Sequence, residues 1–183
     1  MIKIPFCCAA LCVVLLSFAL AEENPLIVTN GDFSDLSGLQ ERAGGWYAGV
    51  PAGWSAPESS EGTTNYAVGN QAGNLVANVS ALSQTQPSFA AFEQEVGQLP
   101  GPGEVTVTFE IKDSWHGSDF IMGAAIYDCL TAIPLAFSDY TSTGTHTLVA
   151  SNLSAGTRIK IGFWSTRGFP ALDDVVVAFK PNE

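Results

Sequence analysis

The sequence predicts an all-β fold, an antiparallel β-sandwich, on three observations. Helical periodicity is nearly absent: apolar residues seldom recur at the three- and four-residue spacing that buries one face of a helix. Short alternations of apolar and polar residues recur instead, with no room for helices between them. Eighteen glycines and ten prolines punctuate the 183 residues, and these favour turns over helices. Many strands without intervening helices pack as a sandwich or barrel.

The opening residues read as a secretory leader. Lys3 supplies a positive start, and Phe6 to Leu20 is apolar apart from Ser17. Ala19-Leu20-Ala21 then offers a small-x-small cleavage site ahead of Glu22-Glu23. The expectation is a signal peptide at residues 1–21, with export of a single domain at 22–183. An uncleaved anchor is the alternative. The apolar run is short for a membrane span, so no membrane insertion is expected after cleavage. Cys7, Cys8 and Cys12 leave with the leader. Cys129 is then alone, no intramolecular disulfide can form, and the residue reads as a small buried apolar side chain.

Candidate strands follow in order at Leu26–Thr29, Asn65–Val68, Asn74–Val79, Ala90–Val96, Glu104–Lys112, Phe120–Tyr127, Ile133–Phe137, Thr145–Ala150, Arg158–Trp164 and Leu172–Phe179. Each is rich in β-branched or aromatic residues, or alternates with period two. Leu99-Pro100-Gly101-Pro102-Gly103 and Asn152-Leu153-Ser154-Ala155-Gly156 are turns between strong strands. The stretch from Gly38 to Thr64 carries no strand pattern and reads as a long packed loop. It holds Trp46 and Trp54, two of the four tryptophans.

Alternation assigns faces. Val105, Val107, Phe109 and Ile111 share one side of their strand, and Thr106, Thr108, Glu110 and Lys112 the other. Ile159, Ile161 and Phe163 oppose Arg158, Lys160, Gly162 and Trp164, which puts a large aromatic beside two cations on a polar face. In the last strand the adjacent Asp173 and Asp174 are expected on opposite sides, so that one faces inward; the alternative is that both are solvated at the mouth of a loop. A buried carboxylate has to be hydrogen-bonded, charge-paired or metal-bound.

Charge excludes some functions. Eighteen acidic residues against seven basic ones give a formal charge of −11, so there is no basic patch for nucleic acid or anionic lipid. No Gly-x-Ser-x-Gly elbow, His-Glu-x-x-His helix or phosphate-binding glycine loop occurs, and His116 and His146 are the only histidines. A pair of carboxylates acting on a glycosidic bond is the one chemistry left open. A solvated acidic face is the commoner reading of Glu93, Glu95, Glu110 and Asp113.

Three motifs in order resemble a known family. Leu26-Ile27-Val28-Thr29-Asn30-Gly31-Asp32-Phe33 with Pro51-Ala52-Gly53-Trp54, then Phe89 to Val96, then Leu172-Asp173-Asp174-Val175 are similar to the opening, middle and closing strands of galactose-binding-like jelly rolls. The likeness is most specific to bacterial carbohydrate-binding modules of the cellulose-, xylan- and laminarin-binding type. It implies a jelly roll, a secreted and non-catalytic role, and a polysaccharide or glycan partner. It also implies a structural calcium ion near the paired chain ends, held by Asp173 with Asp32 or Asp35 and backbone carbonyls. This chain departs from the family at Ser34, where a glutamate is usual. Trp54 maps onto a tryptophan that is normally buried.

Sugar recognition needs flat aromatics against pyranose C–H groups and planar polar groups for hydroxyls. The expected contacts are Trp115, Trp164, Trp46 and Tyr47, with Gln94, Glu110, Lys160 and Arg158 as polar partners. A structural or adhesive protein with the same sandwich and no sugar affinity is the other reading.

Overall fold

The computed structural model describes residues 25–56, 67–71, 74–78, 92–114 and 119–182. Among these residues eleven strands follow in chain order: β1 (Gln40–Arg42), β2 (Trp46–Ala48), β3 (Ala67–Gln71), β4 (Asn74–Asn78), β5 (Phe92–Gln98), β6 (Gly103–Ser114), β7 (Ile121–Asp128), β8 (Pro134–Tyr140), β9 (Gly144–Leu153), β10 (Arg158–Arg167) and β11 (Pro170–Pro181). They form two sheets, one in the order β1-β2-β3-β4-β11-β6-β9 and the other β5-β10-β7-β8. Every pairing is antiparallel.

Counted from β4, the eight strands fall into sheets ordered first-eighth-third-sixth and second-seventh-fourth-fifth. That alternation between layers is the jelly-roll arrangement of two Greek keys. The short strands β1–β3 extend one sheet beyond β4 as a meander.

Alternation builds the core as expected. Val105, Val107, Phe109 and Ile111 of β6 are buried, as are Ile159, Ile161 and Phe163 of β10. Phe109 and Phe163 meet edge to face across the two layers, ring centroids 5.1 Å apart. Trp54 lies in the core against Phe33, Phe92 and Phe163, its indole N–H donating to the Asn30 carbonyl at 3.1 Å. Such ring pairs add to the burial energy of their areas.

The N-terminal segment differs from expectation. Leu26–Thr29 is extended but joins no strand ladder. Its Ile27 N–H donates to the Val96 carbonyl, and Thr29 is held by a side chain. The stretch expected as one loop contains the β1–β2 hairpin, whose turn uses Gly44 and Gly45 at positive φ (82° and 80°). Its first strand, Gln40-Glu41-Arg42, is exposed throughout, so no burial pattern marked it. Trp46 and Tyr47 therefore lie on a strand and not on a loop. Cys129 is half-buried in the β7–β8 turn, not buried, and its thiol is pushed up chiefly by desolvation. The leader and Trp115 lie outside the described residues.

Candidate functional site

The outer face of β5-β10-β7-β8 gathers the chemistry. Along β10 the outward side chains are Arg158, Lys160 and Trp164, with Gly162 between the last two. Register places Tyr127, Ala125 and Gly123 of β7 beside Lys160, Gly162 and Trp164 in turn. On β5, Glu93 lies opposite Gly162 and Glu95 opposite Lys160. On β8, Phe137 lies opposite Ala125 and Asp139 opposite Gly123. Ala125, Tyr127 and Trp164 form a small apolar cluster separate from the core, which fixes this side as the outer one.

Glycine makes the floor possible. A Cβ on Gly123 would sit 2.1 Å from the Trp164 ring, so the indole lies flat against bare backbone. Trp164 is 2% exposed, and its indole N–H, among the described residues, is buried without a hydrogen-bond partner. An unpaired buried donor costs roughly 1–3 kcal/mol. The sequence led us to expect an exposed platform here. Trp164 instead rests on Gly123 and is covered, so it offers no ring face to a ligand.

The charges on this face pair internally. Lys160 Nζ lies 2.9 Å from Glu93 Oε2 and 5.5 Å from the Tyr127 ring centre. Arg158 Nε donates to Glu95 Oε1 at 2.9 Å. Burial, with Glu93 nearby, pushes the Tyr127 phenol up, so it stays a neutral hydroxyl. Phe137, at 67% exposure, is the large aromatic presented to solvent. It was missed because Leu135-Ala136-Phe137 is apolar on both faces and shows no alternation.

Other expected residues lie elsewhere. Gln94 is buried and inward-facing, both ends of its amide bonded to Thr29, so it presents nothing to a ligand. Glu110 belongs to the outer face of the other sheet. Trp46 lies half-buried over Gly69, where a Cβ would come within 2.8 Å of its ring, and Tyr47 packs against the core. These two aromatics point to opposite faces of β2 and form no joint platform.

Of the residues expected at calcium, Asp173 is buried and Asp174 exposed. Yet Asp173 does not face the core: it pairs with Glu110 on the outer side of its sheet, while Leu172 and Val175 point inward. The Asp173 carboxylate faces the Lys112 ammonium at 3.6 Å. Desolvation raises its pKa to about 6, with Asp174 adding to the rise, while the Asp174 N–H and Lys112 oppose it. Asp32 Oδ1 accepts from the N–H and hydroxyl of Ser34, and Asp35 Oδ1 from the Ser37 N–H. Among the described residues no three acidic, histidine or cysteine side chains gather as a metal would require. A lysine at the buried carboxylate and two aspartates closing their own turns do not fit a calcium ion.

No protein-family model and no curated protein matches the chain. Solved structures do, among them several at low identity. The K1 cleaved adhesin domain of Lys-gingipain from Porphyromonas gingivalis W83 is 14% identical, covers 76% of this chain and 100% of its own, and has a TM-score of 0.46. The CBM22-1 xylan-binding domain of Paenibacillus barcinonensis Xyn10C is 11% identical over 79% and 91% of the two chains, with a TM-score of 0.41. TmCBM61, solved with β-1,4-galactotriose, is 16% identical over 86% and 99%, with a TM-score of 0.43. Each of these likenesses has a TM-score under 0.5, and the jelly-roll assignment rests on the chain's own strand order.

Proposed function

We propose that this chain is an exported, non-catalytic sandwich that binds a polysaccharide or glycan on the outer face of β5-β10-β7-β8. The observation that carries this reading is the composition of that face. Phe137 offers an open aromatic surface, and Gly123, Ala125 and Gly162 keep the strands beside it low. Lys160, Glu93, Arg158 and Glu95 line the other side with planar acceptors and fixed donors. Apolar stacking beside paired polar groups is what a pyranose ring with equatorial hydroxyls requires. Because each cation has its own carboxylate, the face favours a neutral sugar over a charged one. The same pairing argues against hydrolysis, since Glu93 and Glu95 sit two apart on one strand and do not face each other across a scissile bond.

A glycan array with the exported chain tests the reading, alongside Phe137→Ala and Lys160→Ala. Binding to a neutral polysaccharide that both substitutions weaken about tenfold or more supports it. A blank array overturns it.

One observation favours adhesion to a protein instead. Leu130 and Ile133 are 72% and 59% exposed at the β7–β8 corner, with Phe137 at 67% midway along β8 beside them. Hydrogen bonds from Leu130 N–H and Thr131 Oγ1 to Asp128, and from Ala132 N–H to its carbonyl, hold that turn rigid. Exposed apolar residues on a rigid turn suit a protein contact. Concentration-dependent assembly abolished by Leu130→Ser, with a blank glycan array, would select this second reading.

A further inference from the structure

We infer that the Lys112 ammonium supplies, from within the chain, the fixed cation that the start of the closing strand needs, so that the fold stands without a metal ion there. Lys112 Nζ lies 2.6 Å from Glu110 Oε2, 3.6 Å from Asp173 Oδ2 and 3.5 Å from Asp174 Oδ2. Three carboxylates on two adjacent strands thus converge on one positive charge. Glu110 and Asp173 are direct cross-strand partners, and like charges so placed repel. The ammonium offsets that repulsion at the one point all three can reach. The lysine side chain is only 24% exposed, which limits screening by solvent.

The place matters because the chain ends meet there. A bulge between Asp173 and Val176 interrupts the ladder to β6, with Asp174 at a φ of 49°. The bulge frees the Val175 N–H to donate to the Gly31 carbonyl at 2.9 Å, which fastens the N-terminal turn to β11. That turn is closed by its own side chain. Asn30 Oδ1 accepts from the Asp35 N–H, and Asn30 Nδ2 donates to the carbonyls of Asp35 and Ala52. The clasp is therefore a backbone hydrogen bond beside a lysine-centred charge cluster.

The test compares the unaltered chain, Lys112→Met and Lys112→Arg by thermal unfolding, at about pH 8 and about pH 4.5, in chelator and in millimolar calcium. The unaltered chain should melt at the same temperature with and without calcium. Lys112→Met should melt about 5 °C or more lower at the higher pH, and the gap should narrow at the lower pH, where Asp173 is protonated. Lys112→Arg should keep most of the stability. Calcium raising the melting temperature of the unaltered chain overturns the inference, as does Lys112→Met as stable as the parent at about pH 8. A gap equal at both pH values also overturns it, since that is lost packing of the lysine stem. If Lys112→Met does not fold, Lys112→Met with Asp173→Asn decides: recovered folding supports the charge account, and continued failure overturns it.

Discussion

Gln94 sits in the middle of β5 with its amide turned toward the N-terminal segment. Its Oε1 accepts from the Thr29 N–H at 2.6 Å and its Nε2 donates to the Thr29 carbonyl at 3.0 Å. One side chain thus makes both hydrogen bonds that a paired strand residue would make, which explains how Leu26–Thr29 lies along β5 without joining its ladder. Gln94→Leu should strand both backbone groups in a partly buried place and cost about 2–4 kcal/mol, read from denaturant unfolding. Asp173 supports a second prediction at this scale. Its folded pKa of about 6 lies above the ordinary 3.8, so the unfolded chain releases this proton more readily than the folded one. The stabilisation from holding it is complete below about pH 4 and is lost as pH rises through about 6. Lys112, Glu110 and Asp174 are the charged groups that face this carboxyl. Asp173→Asn stays neutral throughout. It should be the more stable chain at about pH 8, by up to about 3 kcal/mol, and should lack the parent's decline across this interval. Melting curves of both chains from about pH 4.5 to about pH 8 check the sign.

Strand β10 shows what alternation could and could not reveal. The period-two pattern correctly set Ile159, Ile161 and Phe163 against the core and Arg158, Lys160 and Trp164 on the opposite face, because both faces of a strand are specified one residue at a time. Whether an outward aromatic stands free or lies flat depends on its cross-strand neighbour, and pairing partners are not written in a local pattern. Gly123 settles the matter for Trp164, and Gly69 does so for Trp46. For the same reason the motif around Asp173 was legible while its partner was not. Lys112 lies 62 residues before Asp174 in the chain. The exposed β1 was invisible because nothing in Gln40-Glu41-Arg42 is buried. The strand-pair account predicts that Gly123→Val pushes the indole off β7, since the added carbons would occupy the ring's position. The expected signs are a loss of roughly 1–3 kcal/mol and a red shift in tryptophan emission as Trp164 meets water. A variant with unchanged emission would mean that Trp164 does not rest on Gly123.

At the scale of the whole molecule, β11 is the strand the larger sheet is built around. β11 lies between β4 and β6, and without it β1–β4 lose their attachment to β6 and β9. It also supplies Leu172, Val175 and Val177 to the core and the Val175 N–H to the clasp with Gly31. Both the join of β1–β4 to β6 and β9 and part of the core therefore depend on β11. Pairings this distant in sequence carry a loop-closure cost before any contact offsets it, which places refolding in the millisecond-to-second range typical of β-sandwiches. Removing residues 170–183 should therefore leave no smaller folded domain. The truncated chain should show no cooperative thermal transition and no near-ultraviolet signal from its buried tryptophans, because Trp54 loses the closed core around it. Removing β1 and β2 should be far milder, since Gln40-Glu41-Arg42 is exposed and these strands border the sheet on one side only. A cooperative transition in the chain lacking β11 would show that β5-β10-β7-β8 holds together by itself. The candidate glycan face would then be independent of the clasp that joins the two ends.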